Sequence, residues 1–401
     1  MSAVDGGSKR GVSRRAFLGG AAFATGCAVL WAANRMLGRI PTARAQPEEL
    51  TAQAYFPLAV KRYPPPKVVH VHSATATSWD FQTGWYGEYV DQAVVKQMLE
   101  RGLLELTGGG SMQGAWAMLL PGYSSGRKIA VKVNLNNCRS CDDSDNVIDA
   151  LIEPVNALIS SMVQAGVEAE DIWVYDASRR IPARFYERRE NQQASYIDRF
   201  GCADQTATFN HVHPSLKVSF SHPQMVTDRW LMDLLYDASY VINMPILKRH
   251  GTNPVTLGFK NHFGSLDSLG GAGDDNPHPY INPQDDRYSV DFSPLVEINA
   301  NPNIAQKTVL TVGDALFGAS SVGATPAPWT SFGGSPNSLL LSRDPVAIDC
   351  VMCDLLRAEW GLDDAAYDYL MLAEQRGLGT FETGDPWGGG YDRLDYRYVE
   401  L

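Results

Sequence analysis

The residues with the most chemistry crowd into one stretch, Asp237 to His278. An apolar run, Tyr240 to Met244, is followed by Ile246-Leu247 and then by Lys248, Arg249 and His250. Ten residues after His250 comes Lys260-Asn261-His262-Phe263-Gly264, and a glycine-rich tract then leads to His278. Cationic and imidazole side chains beside glycines suit an anionic ligand, or a metal held together with an anionic substrate. On this reading Lys248 and Arg249 grip anionic groups, with Asn261, His262, Lys132 and Asn134 as further substrate contacts. His250 and Lys260 are candidate catalytic groups, and His250 and His278 are candidate metal ligands. Asp314, ending the run Val312-Gly313-Asp314, is the carboxylate placed to orient a histidine or share in catalysis. A single lysine or arginine after a strand is more often a solvated end. The case rests on clustering in a glycine-rich loop at a sheet end, where function collects.

Two Cys-x-x-Cys pairs offer a different chemistry. Cys138 and Cys141 stand in a loop between a strand and a helix, the position of a redox or metal-binding pair. Asp142, Asp143 and Asp145 follow, and their negative field disfavours a reactive thiolate. A local disulfide is the simpler expectation, with metal ligation by Cys138 and Cys141 as the alternative. Cys350 and Cys353 lie in an apolar helix and read as core. His70-x-His72 and His211-x-His213 each set two imidazoles on one face of an extended chain, a spacing metals accept, but both pairs read as structural. Asp344 before Pro345 reads as a helix cap, and Asp349 one turn later as structural. The glycine-containing run from Pro121 to Lys128 precedes its strand and lacks phosphate-loop spacing, and no Gly-x-Ser-x-Gly elbow occurs.

The elements that must hold these residues alternate. Val68–His72, Lys128–Leu135, Asp171–Tyr175, Tyr240–Met244, Thr308–Val312 and Ser338–Leu341 read as strands. Asp91–Leu106, Val147–Gly166, Asp228–Tyr236, Pro345–Trp360 and Asp364–Arg376 read as helices. The spacing predicts βαβ units in an α/β fold: a doubly wound, mainly parallel sheet with helices on both faces. Residues 181–223 are polar and read as an irregular insertion beside the sheet.

The first 45 residues have the three parts of a twin-arginine export signal: the basic stretch ending Ser13-Arg14-Arg15-Ala16-Phe17-Leu18, an uncharged Ala/Gly-rich run to about Ala33, and Ala43-Arg44-Ala45 before Gln46. The expected partner is therefore the twin-arginine export machinery, and the expected location the periplasm or cell exterior. Residues 46–401 form a single domain on this reading, without a stable membrane span. The whole chain has 34 Lys+Arg and 45 Asp+Glu; without the leader's seven basic residues and one acidic residue, 27 and 44 remain, a net charge of −17. Such a surface opposes nucleic acid but not a small anion in a local basic pocket.

Four ordered blocks resemble the domain of unknown function 362: Ile246–His250, Thr256–Gly264, Val312–Leu316 and Ser342–Asp349, with Lys132-Val133-Asn134 ahead of them. The resemblance covers roughly 128–356 and implies an α/β fold, with no established reaction. The order His250, Lys260, His278 is also similar to lactate racemases of the nickel-pincer type, in which histidines and a lysine hold a nickel-bearing nucleotide cofactor. That similarity implies a further histidine from earlier in the chain, for which His72 is the candidate. The combined expectation is an exported enzyme that uses a metal or metal-containing cofactor on a small, carboxylate-like anion. The alternatives are a non-catalytic ligand or metal carrier, and an iron–sulfur-linked redox accessory using Cys138 and Cys141.

Overall fold

The computed structural model describes residues 64–251, 254–269 and 276–401, which fall within one unit from Tyr63 to Leu401. The export signal lies outside the described residues, as does the glycine tract 270–275.

Short β-rich runs alternate with amphipathic ones, and the sheet follows from them. Its strands are β1 (Lys67–His72), β2 (Ile129–Lys132), β3 (Ile172–Asp176), β4 (Ser195–Asp198), β5 (Gln205–Thr206), β8 (Tyr240–Asn243), β9 (Ile246–Arg249), β10 (Val255–Thr256), β11 (Thr308–Ala319), β12 (Ser338–Ser342) and β13 (Asp395–Glu400). A separate antiparallel pair joins β6 (Lys217–Val218) to β7 (Arg229–Trp230). The order across the main sheet is β13-β1-β12-β11-β8-β2-β3-β4-β5, and β9 pairs with β11 and β10. Only the β12 and β10 pairings are antiparallel, so the sheet is mixed but mostly parallel.

Alternation along each strand produces two cores, one per face. Val69, Val71, Val131, Ile242 and Leu341 point to one side, packed by α1 (Gln92–Thr107), α2 (Met112–Leu119) and α3 (Ile152–Gln164). Val68, Ala130, Val241 and Leu340 point to the other, packed by the single turn α4 (Gly258–Asn261), α5 (Pro294–Asn299), α6 (Pro345–Trp360) and α7 (Asp368–Gln375). Fully buried Met98, Leu99 and Leu103 of α1 each contribute about 1.5–3 kcal/mol by leaving water. The Asp91 carboxylate accepts from the Ala93 and Val94 amides at the start of α1, and Gly108 at φ +67° ends it. Asp344 caps α6 in the same way, ahead of Pro345.

The structure departs from the sequence expectation at four places. Residues 147–151 stay extended, because the Ile148 amide bonds Ala324 O and the Ala150 amide bonds Asn134 O, so α3 starts only at Ile152. The helix expected over Asp228–Tyr236 is mostly absent: Arg229-Trp230 pairs with Lys217-Val218, and only Leu234–Asp237 makes a helical turn. Tertiary pairing overrides a helical period there, with the Leu231 and Met232 amides bonded to Leu216 O and Ser265 O. Residues 181–223 do not simply lie beside the sheet, since β4 and β5 extend its edge. Finally, β11 runs to Ala319 because its two halves serve different partners: Thr308–Thr311 pair with β8 and Asp314–Ala319 with β9. Between β8 and β9 the chain breaks at Met244-Pro245. The Met244 amide bonds Lys132 O, and Pro245 O accepts from the Asp314 amide.

Candidate functional site

From β2 the chain winds outward to β3, β4 and β5, then returns to lay β8 on the other side of β2. A doubly wound sheet opens a crevice at such a reversal, beyond the carboxyl ends of its strands. Lys132 is the last residue of β2 and is fully buried. Its ammonium donates to Asp176 Oδ2 (3.1 Å), Asn261 Oδ1 (3.2 Å) and the Val133 carbonyl. Asp176 ends β3 and also accepts from the amides of Leu135 (3.2 Å) and Ser178 (2.9 Å). Asn261 donates in turn to Asn243 Oδ1 (2.7 Å), and Asn243 donates to Gly258 O (2.9 Å). One asparagine pair thus ties α4 to the ends of β2 and β8.

The turn α4 is too short to be stable alone and is held from outside. The Asp349 carboxylate of α6 accepts from the amides of Gly258 (2.8 Å) and Phe259 (3.0 Å) and from the Tyr369 hydroxyl (3.1 Å). Both glycines of the Gly258-to-Gly264 block make room for these contacts. A Cβ at Gly258 would lie 2.7 Å from Asp349 Oδ1, and one at Gly264 would lie 2.6 Å from Lys132 Nζ.

The resulting cleft is lined by Lys132, Asn134, Asn136, Asp176, Ser178, Arg179, His250, Thr256, Lys260, Asn261, Phe263, Gly264, Leu269 and His278. Lys248 is fully buried, directly opposite Thr256 across the β9–β10 pair, and His250 follows two residues on. Lys248 Nζ, Thr256 Oγ1 and His250 Nδ1 have no hydrogen-bond partner among the described residues. Leaving such groups buried and unsatisfied costs about 1–3 kcal/mol each.

Burial dominates the electrostatics. It pulls the lysine pKa values down, that of Lys132 against the opposing pull of Asp176, that of Lys248 against Asp149, and that of Lys260 with help from the Lys248 charge. Burial with the Lys260 charge also holds His278 down, to about 4, and lowers His250 well below the ordinary value. Both imidazoles are therefore neutral near pH 7, each able to accept a hydrogen bond at one ring nitrogen and donate one from the other. Asp149, behind Lys248, is pushed up by burial, and Lys248 opposes that push.

A family model described as a domain of unknown function (DUF362) matches residues 129–354, more than half of the chain. The chain belongs to this family. No curated protein matches it. Within the DUF362 match the blocks containing Lys248–His250 and Thr256–Gly264 build the cleft, and Ser342–Asp349 contributes the carboxylate that pins α4.

The other residues named from sequence are placed elsewhere. Arg249 points to the opposite side of β9, and its guanidinium donates to Trp360 O at the end of α6 (3.4 Å). His262 is buried on the far side of α4, where its Nδ1 meets Ser265 Oγ at 3.1 Å, and it lines a different cleft with Asn299 and Arg343. Asp314 is buried on the α3 face, where it accepts from the Leu316 amide (3.1 Å), and burial raises its pKa to about 6. His72 pairs with Glu400 at 2.9 Å on β1, on the other side of β12 and β11 from the cleft strands. His70 bonds Tyr396 and Ser338, His211 pairs with Asp267, and His213 stacks on Tyr236.

The cysteines correct the expected local bridge. Cys141 is disulfide-bonded to Cys202, 61 residues away, with Cα atoms 5.3 Å apart, and Cys138 is a buried free thiol. A sulfur spent in that bond is not a thiolate, so Cys138 and Cys141 do not form a metal pair. Cys350 and Cys353 are buried in the core as expected. For a metal at the histidines, the ring centroids of His250 and His278 lie 6.1 Å apart, a span that one ion could bridge. Yet among the described residues no group of three or more His, Cys, Asp or Glu side chains is disposed to hold one, and Lys248 and Lys260 bring positive charge to the same place. The described donors do not fit a bound cation.

Asp176, Ser178, Arg179 and Thr256 were not singled out by sequence. Asp176 ends β3 and Arg179 follows three residues later, so the same strand-end rule that flags Lys248–His250 would have found them.

Proposed function

We propose that this DUF362 protein binds a small carboxylate-like anion in the cleft beside β2 and β9 and acts on it by proton transfer. The observation that carries the reading is a crevice lined by the buried lysines Lys132 and Lys260 and by the His250 and Thr256 atoms that lack a partner among the described residues, with the equally unpartnered Lys248 ammonium buried across the strand pair from Thr256. An anion there would satisfy those donors and repay part of the cost of burying the cations. Lys260, His250 and His278 are the groups suited to move a proton at the bound ligand. The similarity in order to lactate racemases is in keeping with a substrate as small as lactate.

Anion binding should show a specific pH response. Burial holds the lysines below their ordinary 10.5, and a bound anion would raise them again. Binding therefore takes up protons, and affinity is highest where the lysines are already charged. It should fall as pH rises through about 8, below the 10.5 at which ordinary lysines titrate. Calorimetric titration with acetate, lactate and phosphate, in buffers of different ionisation enthalpy, measures both the affinity and the proton uptake. No saturable binding across that range would sink the reading. With lactate bound, proton NMR in D2O would reveal exchange at the carbon next to the carboxylate, lost in Lys260→Met. Saturable binding without exchange would leave a carrier rather than an enzyme.

Export by the twin-arginine route belongs to the same proposal. The Arg14-Arg15 pair with its following apolar run supports it, and so does the Cys141–Cys202 bond, since disulfides persist outside a reducing cytoplasm. Changing Arg14 and Arg15 together to Lys should leave uncut precursor in the cytoplasmic fraction, and normal export of that variant would overturn the assignment.

A further inference from the structure

A second cavity lies behind the hairpin that walls the cleft. Successive residues of β10 point to opposite sides, so Thr256 lines the cationic cleft while Val255 lines the second cavity. The same division separates His278 from Tyr280 in the following turn. The second cavity lies between α5, α7 and the segment 280–293. Its walls are aromatic and aliphatic, with buried Phe292, Tyr369, Leu295 and Leu372 prominent among them. At its mouth stands Val290, 58% exposed.

Among the polar atoms of this lining, one is unusually placed. Ser293 lines the cavity and is the N-cap residue of α5, where a serine hydroxyl ordinarily accepts from an amide of the first turn. Here it makes no such bond. Ser293 is 5% exposed, and its Oγ has no hydrogen-bond partner among the described residues. A buried hydroxyl that forgoes its cap costs about 1–3 kcal/mol unless something else engages it. Its presence in an aromatic-walled cavity matches the usual build of a small-molecule site, apolar walls with a few orienting polar groups.

We infer that this cavity is a binding site for a small uncharged aromatic molecule carrying one hydrogen-bonding group, with Ser293 Oγ as its polar contact. The site is independent of the anion cleft. Among the described residues its lining contains no lysine, and the one charged lining residue is Asp368, which accepts from the Tyr288 hydroxyl. Phenol and toluene are the matched probes, because they share shape and differ in the hydroxyl.

The experiment is titration of the full chain with each, followed by ligand-observed NMR. The wild type should bind both saturably, with phenol the tighter. Ser293→Ala should lower phenol affinity about tenfold and leave toluene unchanged. Val290→Trp, at an exposed position that does not threaten the fold, should close the mouth and abolish both. Lys260→Met, which disables the cleft, should leave both untouched. Absence of saturable binding by the wild type would overturn the inference. So would binding that survives Val290→Trp, or a phenol preference that survives Ser293→Ala.

Discussion

Replacing Gly264 by alanine is expected to destabilise the fold by about 3 kcal/mol or more and to abolish anion binding in the cleft. The constraint is room, because Gly264 is not among the residues in the left-handed region. Its new methyl group would sit 2.6 Å from Lys132 Nζ and 3.0 Å from Asp176 Oδ1. Neither neighbour can give way cheaply. Lys132 is fully buried with its bonds to Asp176 and Asn261 already made, and Asp176 holds the Leu135 and Ser178 amides. The Gly264 carbonyl is itself tied to the Ala177 amide at 2.7 Å, so the backbone cannot retreat without losing that bond. Separating one partner of a buried pair costs about 3–5 kcal/mol. Urea denaturation should show a lower midpoint with an unchanged slope. Gly110→Ala is the control, since a Cβ there meets nothing within 4 Å. Equal stability of the two variants would refute the argument.

Asp349→Ala is expected to cost about 3–5 kcal/mol, because it strands two buried amides, Gly258 and Phe259, and the Tyr369 hydroxyl. The loss should reach the cleft as well, because these bonds set the start of the turn carrying Lys260. Asp349→Asn keeps one carbonyl acceptor and should cost less. Its pH dependence has a definite sign. Burial raises the Asp349 carboxyl from 3.8 to about 7 in the folded protein, so the folded state holds that proton more tightly than the unfolded chain does. The stabilisation from the proton is complete below 3.8 and is lost as pH rises through about 7. The wild type's advantage over Asp349→Asn should therefore be widest in acid and narrow toward neutrality. An advantage that widens instead would show that the carboxyl is ionised throughout.

Much of this was legible in the residues. Alternation located β1, β2, β3, β8, β12 and the first part of β11, and Asp344 before Pro345 marked the cap of α6, because those signals are local; β4, β5, β9, β10 and β13 carry no such pattern. Lys248, His250, Lys260 and His278 were found because they follow a strand end and sit among glycines. What escaped depended on contacts between distant segments. Cys141 pairs with Cys202 only because the loop after β2 and the segment after β4 meet in space. Asp349 looked structural, and it is, but its target on α4 lies about 90 residues upstream and no spacing reveals it. His262 was grouped with Lys260 and Asn261 by adjacency, yet successive residues of a helical turn are about 100° apart, which sends it to the opposite side. Arg249 was misjudged beside Lys248 for the analogous reason, the two-residue period of a strand.

That last neighbouring pair gives the break at Met244-Pro245 a wider meaning. Because β8 and β9 are laid against separate halves of β11, the chain between them acts as a phase setter. The count of residues through Pro245, odd or even, decides which of two adjacent cations is housed beneath the cleft and which is sent to the end of α6. Lysine can surrender its proton in a buried setting and arginine cannot, so the same short count also decides whether β9 adds a third titrating cation to Lys132 and Lys260. Length changes in the loops around this strand alter reach, but a single-residue change here would alter chemistry.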